Sequence, residues 1–163
     1  PDLNKDCKPC AYPAFFAQWL EQAYPESNVH IWNLAVGGST SQSILGIIGE
    51  ELERIENIRF IFVHYTTNDH ITSHSDVQSS ASYEHLIRLL LSLKSKPAVI
   101  CLSMIGKHGS SRYPAHEIVT DYYSLPVIYV QEYALTTSIY DIPSKLTVLI
   151  NNIIIWIDII INK

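Results

Sequence analysis

The chain of 163 residues is 47% hydrophobic and 17% charged, which is the composition of one globular domain with a sizeable core. Its net charge of −5 comes without a cluster of Lys and Arg, which excludes an electrostatic surface for nucleic acid and makes a membrane partner unexpected. Three cysteines cannot all pair, so free thiols are expected rather than a disulfide framework. Cys7 and Cys10 form a CxxC pair, for which a redox pair or half of a zinc site is the alternative. The chain starts at Pro1 without a leader pattern, which predicts a partial chain.

Apolar runs alternate with amphipathic patterns along most of the chain. A helix is predicted at 11–25, followed by strand 29–36, helix 41–55, strand 59–65, helix 79–94, strand 97–104, helix 114–124 and strand 126–130. The runs are almost continuous in Val, Ile and Phe, which is typical of strands buried on both faces of a parallel sheet. Their alternation with helices predicts a three-layer α/β/α domain.

The end of the chain has a different composition. Residues 145–163, KLTVLINNIIIWIDIIINK, are rich in Ile and Asn and lack an amphipathic pattern. Asn151, Asn152 and Asp158 interrupt apolar stretches that fall short of the ~20 residues a membrane span needs. A buried β-segment and a low-complexity segment foreign to the domain both remain open. The predicted division is therefore an α/β domain at 1–144 and a tail at 145–163.

Polar residues follow two consecutive predicted strands. The glycine loop (37–41, GGSTS) follows strand 29–36, and the Asn-Asp segment (66–70, TTNDH) follows strand 59–65. Ligands of parallel α/β sheets gather beyond the carboxyl ends of the strands, where both segments are expected. Backbone N–H groups beside glycine and the Asn68 amide can donate hydrogen bonds to one negative charge. Each segment taken alone is more typical of an ordinary turn with a helix cap.

The two segments together resemble the second and third sequence blocks of the SGNH hydrolases, the GDSL esterase and lipase family. "NLAVGGSTS" is similar to the second block, and a hydrophobic strand ending in "TTND" is similar to the third. The resemblance covers roughly residues 7 to 133 and implies a flavodoxin-like α/β/α fold. It also implies an oxyanion hole from Gly38 (or Gly37 in the other register) and Asn68, with Asp69 supporting the loop through hydrogen bonds to backbone N–H groups. Thr66 stands where the family's third block has Gly.

Both catalytic ends of that family lack a counterpart in the chain. The family's nucleophile lies in a Gly-Asp-Ser block, and no Gly-Asp-Ser occurs here. Its general base lies in an Asp-x-x-His block after the last strand, whereas Asp141 is followed by Ile-Pro-Ser. Acyl transfer through serine requires both groups within hydrogen-bond reach. The expected function is therefore an ester hydrolase domain of this type, inactive as the chain stands.

The family's first strand, which precedes its nucleophile, is also expected to be missing. In the flavodoxin-like order 2-1-3-4-5 this strand lies between the two strands predicted here at 29–36 and 59–65. Its loss exposes ladder groups that must be paired when they are buried. Three outcomes are open: the two strands close on each other, the Ile-rich tail fills the gap, or the region is poorly ordered.

The sequence leaves open two other functions and two other kinds of site, a Ser–His dyad and a metal site. The fold could serve as a non-catalytic binding module, or as a flavodoxin-like binder whose glycine loop takes a phosphate. A Ser–His dyad could be rebuilt from the hydroxyls at 39–41 and one of three histidines, but caps and solvated loop groups are more common. Those histidines are His64, His70 and His74.

Four residues between positions 69 and 76 are candidates for a metal site, and two histidines are candidates for the cleft. His70, His74, Asp69 and Asp76 lack the helical spacing of a metal site. His108 and His116 are expected either beside the cleft or as ordinary surface residues. No cofactor or metal is predicted. The expected partner is a small-molecule ester, with an acylated carbohydrate or lipid as the candidate class.

Overall fold

The computed structural model describes residues 12–26, 29–72, 75–104, 112–129 and 157–162. Five helices and five strands are described, in the order α1 (Tyr12–Ala23), β1 (Val29–Asn33), α2 (Ser41–Glu53), β2 (Ile58–Val63), α3 (Thr66–Thr72), α4 (Asp76–Leu91), β3 (Ala98–Ser103), α5 (Pro114–Tyr122), β4 (Val127–Tyr129) and β5 (Ile157–Asn162). The predicted alternation of strands and helices is confirmed in these parts of the chain, with element ends that differ by a few residues.

The helices begin at residues that satisfy their free N–H groups. Thr40 caps α2 in a capping box, in which its side chain accepts from the Ser43 backbone and the Ser43 side chain accepts from the Thr40 backbone. Ser75 caps α4 by accepting from the Gln78 backbone. Helix α5 begins at Pro114, whose fixed φ suits the first turn and whose missing N–H costs nothing there.

The sheet has the strand order β1-β5-β2-β3-β4. Strand β2 pairs with β3 in parallel, and β3 pairs with β4 in parallel. Strand β5 is antiparallel to both of its neighbours, β1 and β2. The predicted parallel sheet is confirmed across β2–β4, whereas β5 makes the sheet mixed as a whole.

The core lies on both faces of this sheet. Strand residues point alternately to opposite faces, so Ile61 and Val63 join one cluster while Phe62 joins the other. The larger cluster combines these strand residues with α2, α4 and α5, through Ile44, Ile48, Leu52, Tyr83, Leu86, Ile87, Leu90 and Val119. On the opposite face, Leu20 of α1 packs with Ile31 of β1. Helices therefore flank the sheet on both sides, an arrangement compatible with α/β/α layers.

Strand β5 separates β1 from β2 in the sheet. Residues 157–162 of the Ile-rich tail lie between them, with Trp32 and Ile61 as the partners of Ile159 on its two sides. Of the three outcomes considered from the sequence, the tail filling the gap is the one observed. Residues 145–156 lie outside the described parts of the chain. Within those parts, no helix has the length and apolar character needed to cross a bilayer.

Candidate functional site

The glycine loop leaves β1 through a tight turn. The Ser39 backbone N–H donates to the Val36 carbonyl at 3.1 Å, and Gly38 has a φ of +78°. A positive φ at this third position is typical of a type II turn, where side chains with a Cβ are strained. A Cβ at Gly37 or Gly38 would meet nothing within 4 Å, so the backbone angle, rather than crowding, explains the glycine at 38. The turn leaves both glycines exposed to solvent.

The Asn-Asp segment is the first part of helix α3 rather than the loop that the sequence predicts. Its first helical hydrogen bond runs from the Asp69 N–H to the Tyr65 carbonyl at 3.0 Å. The hydroxyl of Thr66 donates to the Leu102 carbonyl at 3.4 Å, and that of Thr67 donates to the Met104 carbonyl at 2.5 Å. These small hydroxyl side chains therefore anchor the start of α3 to the end of β3, which explains the polar residues after a buried strand.

Asn68 connects the Asn-Asp segment to the glycine loop. Its side-chain Nδ2 donates to the Ser39 carbonyl at 2.8 Å, and the residue is half-buried. The ends of β1 and β2 are thus brought together although β5 lies between these strands. The amide of Asn68 is oriented by this bond towards the glycine turn.

Asp69 forms a second connection between the same two segments. Its Oδ1 accepts from the Ser41 backbone N–H at 2.9 Å, and its Oδ2 lies 2.9 Å from Nε2 of His116. Ser41 begins α2, where N–H groups have no partner within the helix and the helix dipole is positive. The carboxylate is only 1% exposed, so both bonds lie out of water.

His116 lies in a buried aromatic environment on α5. Its ring stacks flat on Tyr83 of α4, with centroids 3.6 Å apart and an interplanar angle of 2°, and the Tyr113 ring lies 5.0 Å away. Burial lowers the pKa of His116 from its usual value, while the hydrogen bond and charge of Asp69 oppose that shift. The surface alternative for His116 is wrong, since 5% of the residue is exposed.

Two of the three hydroxyls proposed for a rebuilt dyad, those of Ser39 and Thr40, have ordinary roles in the turn and the helix cap. The Ser39 hydroxyl donates to the Val36 carbonyl at 2.7 Å, and the Thr40 hydroxyl caps α2. His70 is exposed and packs edge-on against the Tyr113 ring. His74 and His108 lie outside the described residues, as do Cys7 and Cys10. Among the residues that are described, no three His, Cys, Asp or Glu side chains are grouped to hold a metal.

His64 is a second buried histidine beside this site. The prediction that His64 is a solvated loop group is wrong, because only 4% of the residue is exposed. Burial lowers the pKa of His64 to about 4, against a hydrogen bond with the Met104 backbone that raises it. Its Nε2 has no hydrogen-bond partner among the described residues.

Acid is expected to destabilise the protein through His64. Below pH 6.5 the unfolded chain binds a proton at this residue while the folded chain does not, until the pH reaches about 4. Stability is thus unaffected above pH 6.5 and falls as the pH drops through this window, by about 3 kcal/mol at pH 4. Urea unfolding of His64→Gln should show a shallower decline with acid than the native chain.

The control for this experiment is His85→Gln, because His85 is an exposed histidine of α4. His116 contributes in the same direction, so His64→Gln should reduce the acid slope without abolishing it. Identical slopes in His64→Gln and the native chain would contradict the prediction.

Comparison of the chain with protein-family models, with curated proteins and with solved structures finds no match. The geometry of the site is therefore the basis for any assignment. The described residues bring Gly38, Asn68 and Asp69 into one connected region, and the sequence prediction did not pair His116 with them.

Proposed function

We propose that the chain is a domain of an SGNH-type ester hydrolase, in which Gly38 and Asn68 form the oxyanion side of the site. The observation that carries the proposal is the pair of hydrogen bonds joining the two segments, from Asn68 to the Ser39 carbonyl and from the Ser41 N–H to Asp69. An oxyanion hole needs donors that are held in place before charge develops, and these bonds hold the glycine turn beside the Asn68 amide.

The order of the strands gives independent support. If β1 to β4 are counted as the second to fifth strands of a flavodoxin-like sheet, the order β1-β5-β2-β3-β4 becomes 2-x-3-4-5, with β5 in the place of the first strand. The ends of β1 and β2 then flank the position where ligands bind in such sheets. This is the position from which the glycine loop and the Asn-Asp segment extend.

The roles of the three residues follow from their contacts. Gly38 provides the turn conformation that exposes backbone N–H groups, and Asn68 provides a side-chain donor that Ser39 orients. Asp69 supports the loop by accepting from the Ser41 N–H. The chemical step would also need a serine nucleophile and a histidine base, for which the chain has no Gly-Asp-Ser or Asp-x-x-His block at the family's positions.

A flavodoxin-like phosphate site is less well supported. Such a site would use N–H groups in the first turn of α2, but the Ser41 N–H already binds the Asp69 carboxylate. A second anion at that position would lie close to a buried negative charge. A non-catalytic binding module is the stronger alternative, because the glycine turn and the Asn68 amide could hold an anion without a nucleophile.

The proposal predicts that the chain binds an oxyanion mimic without hydrolysing an ester. Turnover of p-nitrophenyl acetate should stay at the background rate, since a charge-stabilising site does not generate a nucleophile. Methylphosphonate, a tetrahedral anion, should shift the NMR signals of the Gly38 N–H and the Asn68 side-chain amide. Asn68→Ala should weaken that binding, whereas Gln42→Ala, which removes an exposed amide of α2, should not.

Two outcomes would contradict this expectation. The absence of any methylphosphonate shift at Gly38 and Asn68 would overturn the oxyanion assignment. Turnover well above background that is abolished by Asn68→Ala would overturn the inactivity of the chain. A chimaera that supplies Gly-Asp-Ser and Asp-x-x-His blocks separates an esterase, which would hydrolyse the ester, from a binding module, which would not.

A further inference from the structure

We propose that His116 is a positioning residue for the oxyanion side of the site, acting through Asp69. This inference rests on the proposed function and extends it to a helix that neither the glycine loop nor the Asn-Asp segment contains. The three elements involved are α5, which carries His116, α3, which carries Asp69, and the first turn of α2, which begins at Ser41.

The Asp69 carboxylate is shared between two elements, α2 and α5. Oδ1 of Asp69 accepts from the Ser41 N–H, and Oδ2 bonds with Nε2 of His116, both at 2.9 Å. The two oxygens of a carboxylate are fixed in one plane. A bond that sets the direction of one oxygen therefore sets the direction of the other.

Packing against Tyr83 holds the His116 imidazole in place. The His116 ring lies flat against Tyr83, which is 2% exposed, so the ring cannot turn without opening the core. Tyr83 belongs to the same core cluster as Cys101 of β3. The orientation of His116 is thus fixed by α4 and by the core between this helix and the sheet.

The single ring proton of neutral His116 is assigned to Nε2. Nδ1 of His116 is buried without a hydrogen-bond partner among the described residues, which disfavours a second N–H on the ring. A neutral ring with its proton on Nε2 donates to Asp69 and leaves Nδ1 as the unprotonated nitrogen. In this form His116 supplies a donor that the buried carboxylate would otherwise lack.

The pair of Asp69 and His116 is connected to the oxyanion side of the site through Ser41 and Asn68. Ser41 is held by Asp69 and follows the glycine turn by two residues, while Asn68, the neighbour of Asp69, is bonded to Ser39. A rotation of the Asp69 side chain would release the Ser41 N–H and allow the turn and the Asn68 amide to move apart. His116 opposes that rotation.

NMR of the intact chain tests the proposal through signals at the site itself. His116→Phe keeps a flat ring on Tyr83 and removes the donor to Asp69. We expect it to shift the Ser41 backbone amide and the Asn68 side-chain amide, with loss of the His116 Nε2–H proton signal and little change at Leu90 in the core. His116→Gln, whose side-chain N–H can reach the same oxygen, should restore the Ser41 and Asn68 signals towards their native positions.

The matched control is His85→Phe, because His85 is an exposed histidine on α4. Unmoved Ser41 and Asn68 signals in a folded His116→Phe variant would overturn the proposal. Loss of the dispersed spectrum in both His116 variants would also overturn it, since His116 would then be required for the fold as a whole. Failure of the proposed function is distinguishable: native Gly38 and Asn68 would not respond to methylphosphonate, while His116→Phe would still shift Ser41.

Discussion

Asp69→Ala is expected to lower the free energy of unfolding by about 2–6 kcal/mol. The substitution leaves two buried donors without an acceptor, the Ser41 N–H and the His116 Nε2–H, and each unsatisfied group costs about 1–3 kcal/mol. Both residues are at most 5% exposed, so water cannot readily replace the carboxylate. Urea unfolding at neutral pH would measure the loss through the shift of the transition midpoint.

Two further variants serve as comparisons for Asp69→Ala. Asp69→Asn keeps one acceptor oxygen and the shape of the side chain, so we expect a smaller loss than for Asp69→Ala. Asp121→Ala removes an exposed carboxylate from α5 and should change stability by less than about 0.5 kcal/mol. A loss for Asp69→Ala that is no larger than for Asp121→Ala would contradict the buried hydrogen bonds described for Asp69.

Ile159→Pro is expected to destabilise the fold by at least about 1–3 kcal/mol, the cost of leaving a ladder carbonyl without its N–H donor. Strand β5 pairs on both sides, with β1 and with β2, and Ile159 takes part in both pairings. Proline removes one ladder N–H, which is why it is confined to edge strands, strand starts and bulges. The urea midpoint and the protection of β1 and β2 amides from hydrogen exchange would both fall.

The matched control is Ile159→Val, which keeps a β-branched residue and the backbone N–H. It should leave the exchange protection of β1 and β2 close to that of the native chain. Equal protection of these two strands in Ile159→Pro and Ile159→Val would show that β5 does not contribute to their pairing in solution.

Much of the fold could be predicted because its signals are local. Strands such as β2 and β3 are short, mainly apolar runs, and the core face of α4 repeats Leu and Ile at helical spacing. Helix α3 could not be predicted in the same way. TTNDH has no apolar period, and its helical form depends on hydroxyl bonds to carbonyls at the end of β3.

The candidate site could be predicted in part for the same reason. The glycine loop and the Asn-Asp segment are each recognisable in the sequence, and their meeting follows from the ends of neighbouring strands. His116 is 47 residues from Asp69 along the chain, and only the docking of α5 on α4 brings them together. The position of His116 on the same face of α5 as Ala115 and Val119 is a local signal that could have indicated it.

The position of β5 has a consequence for the order in which the protein assembles. The last described strand in the sequence occupies the second place in the sheet, where Val29 of β1 pairs with Asn162. Contacts between residues so distant in sequence require a large loop to close, which slows folding. During synthesis on a ribosome, β2, β3 and β4 can associate early. Strand β1 keeps an unpaired edge until residues 157–162 of the tail have emerged. Such an exposed edge is where a chaperone or a second nascent chain would bind first.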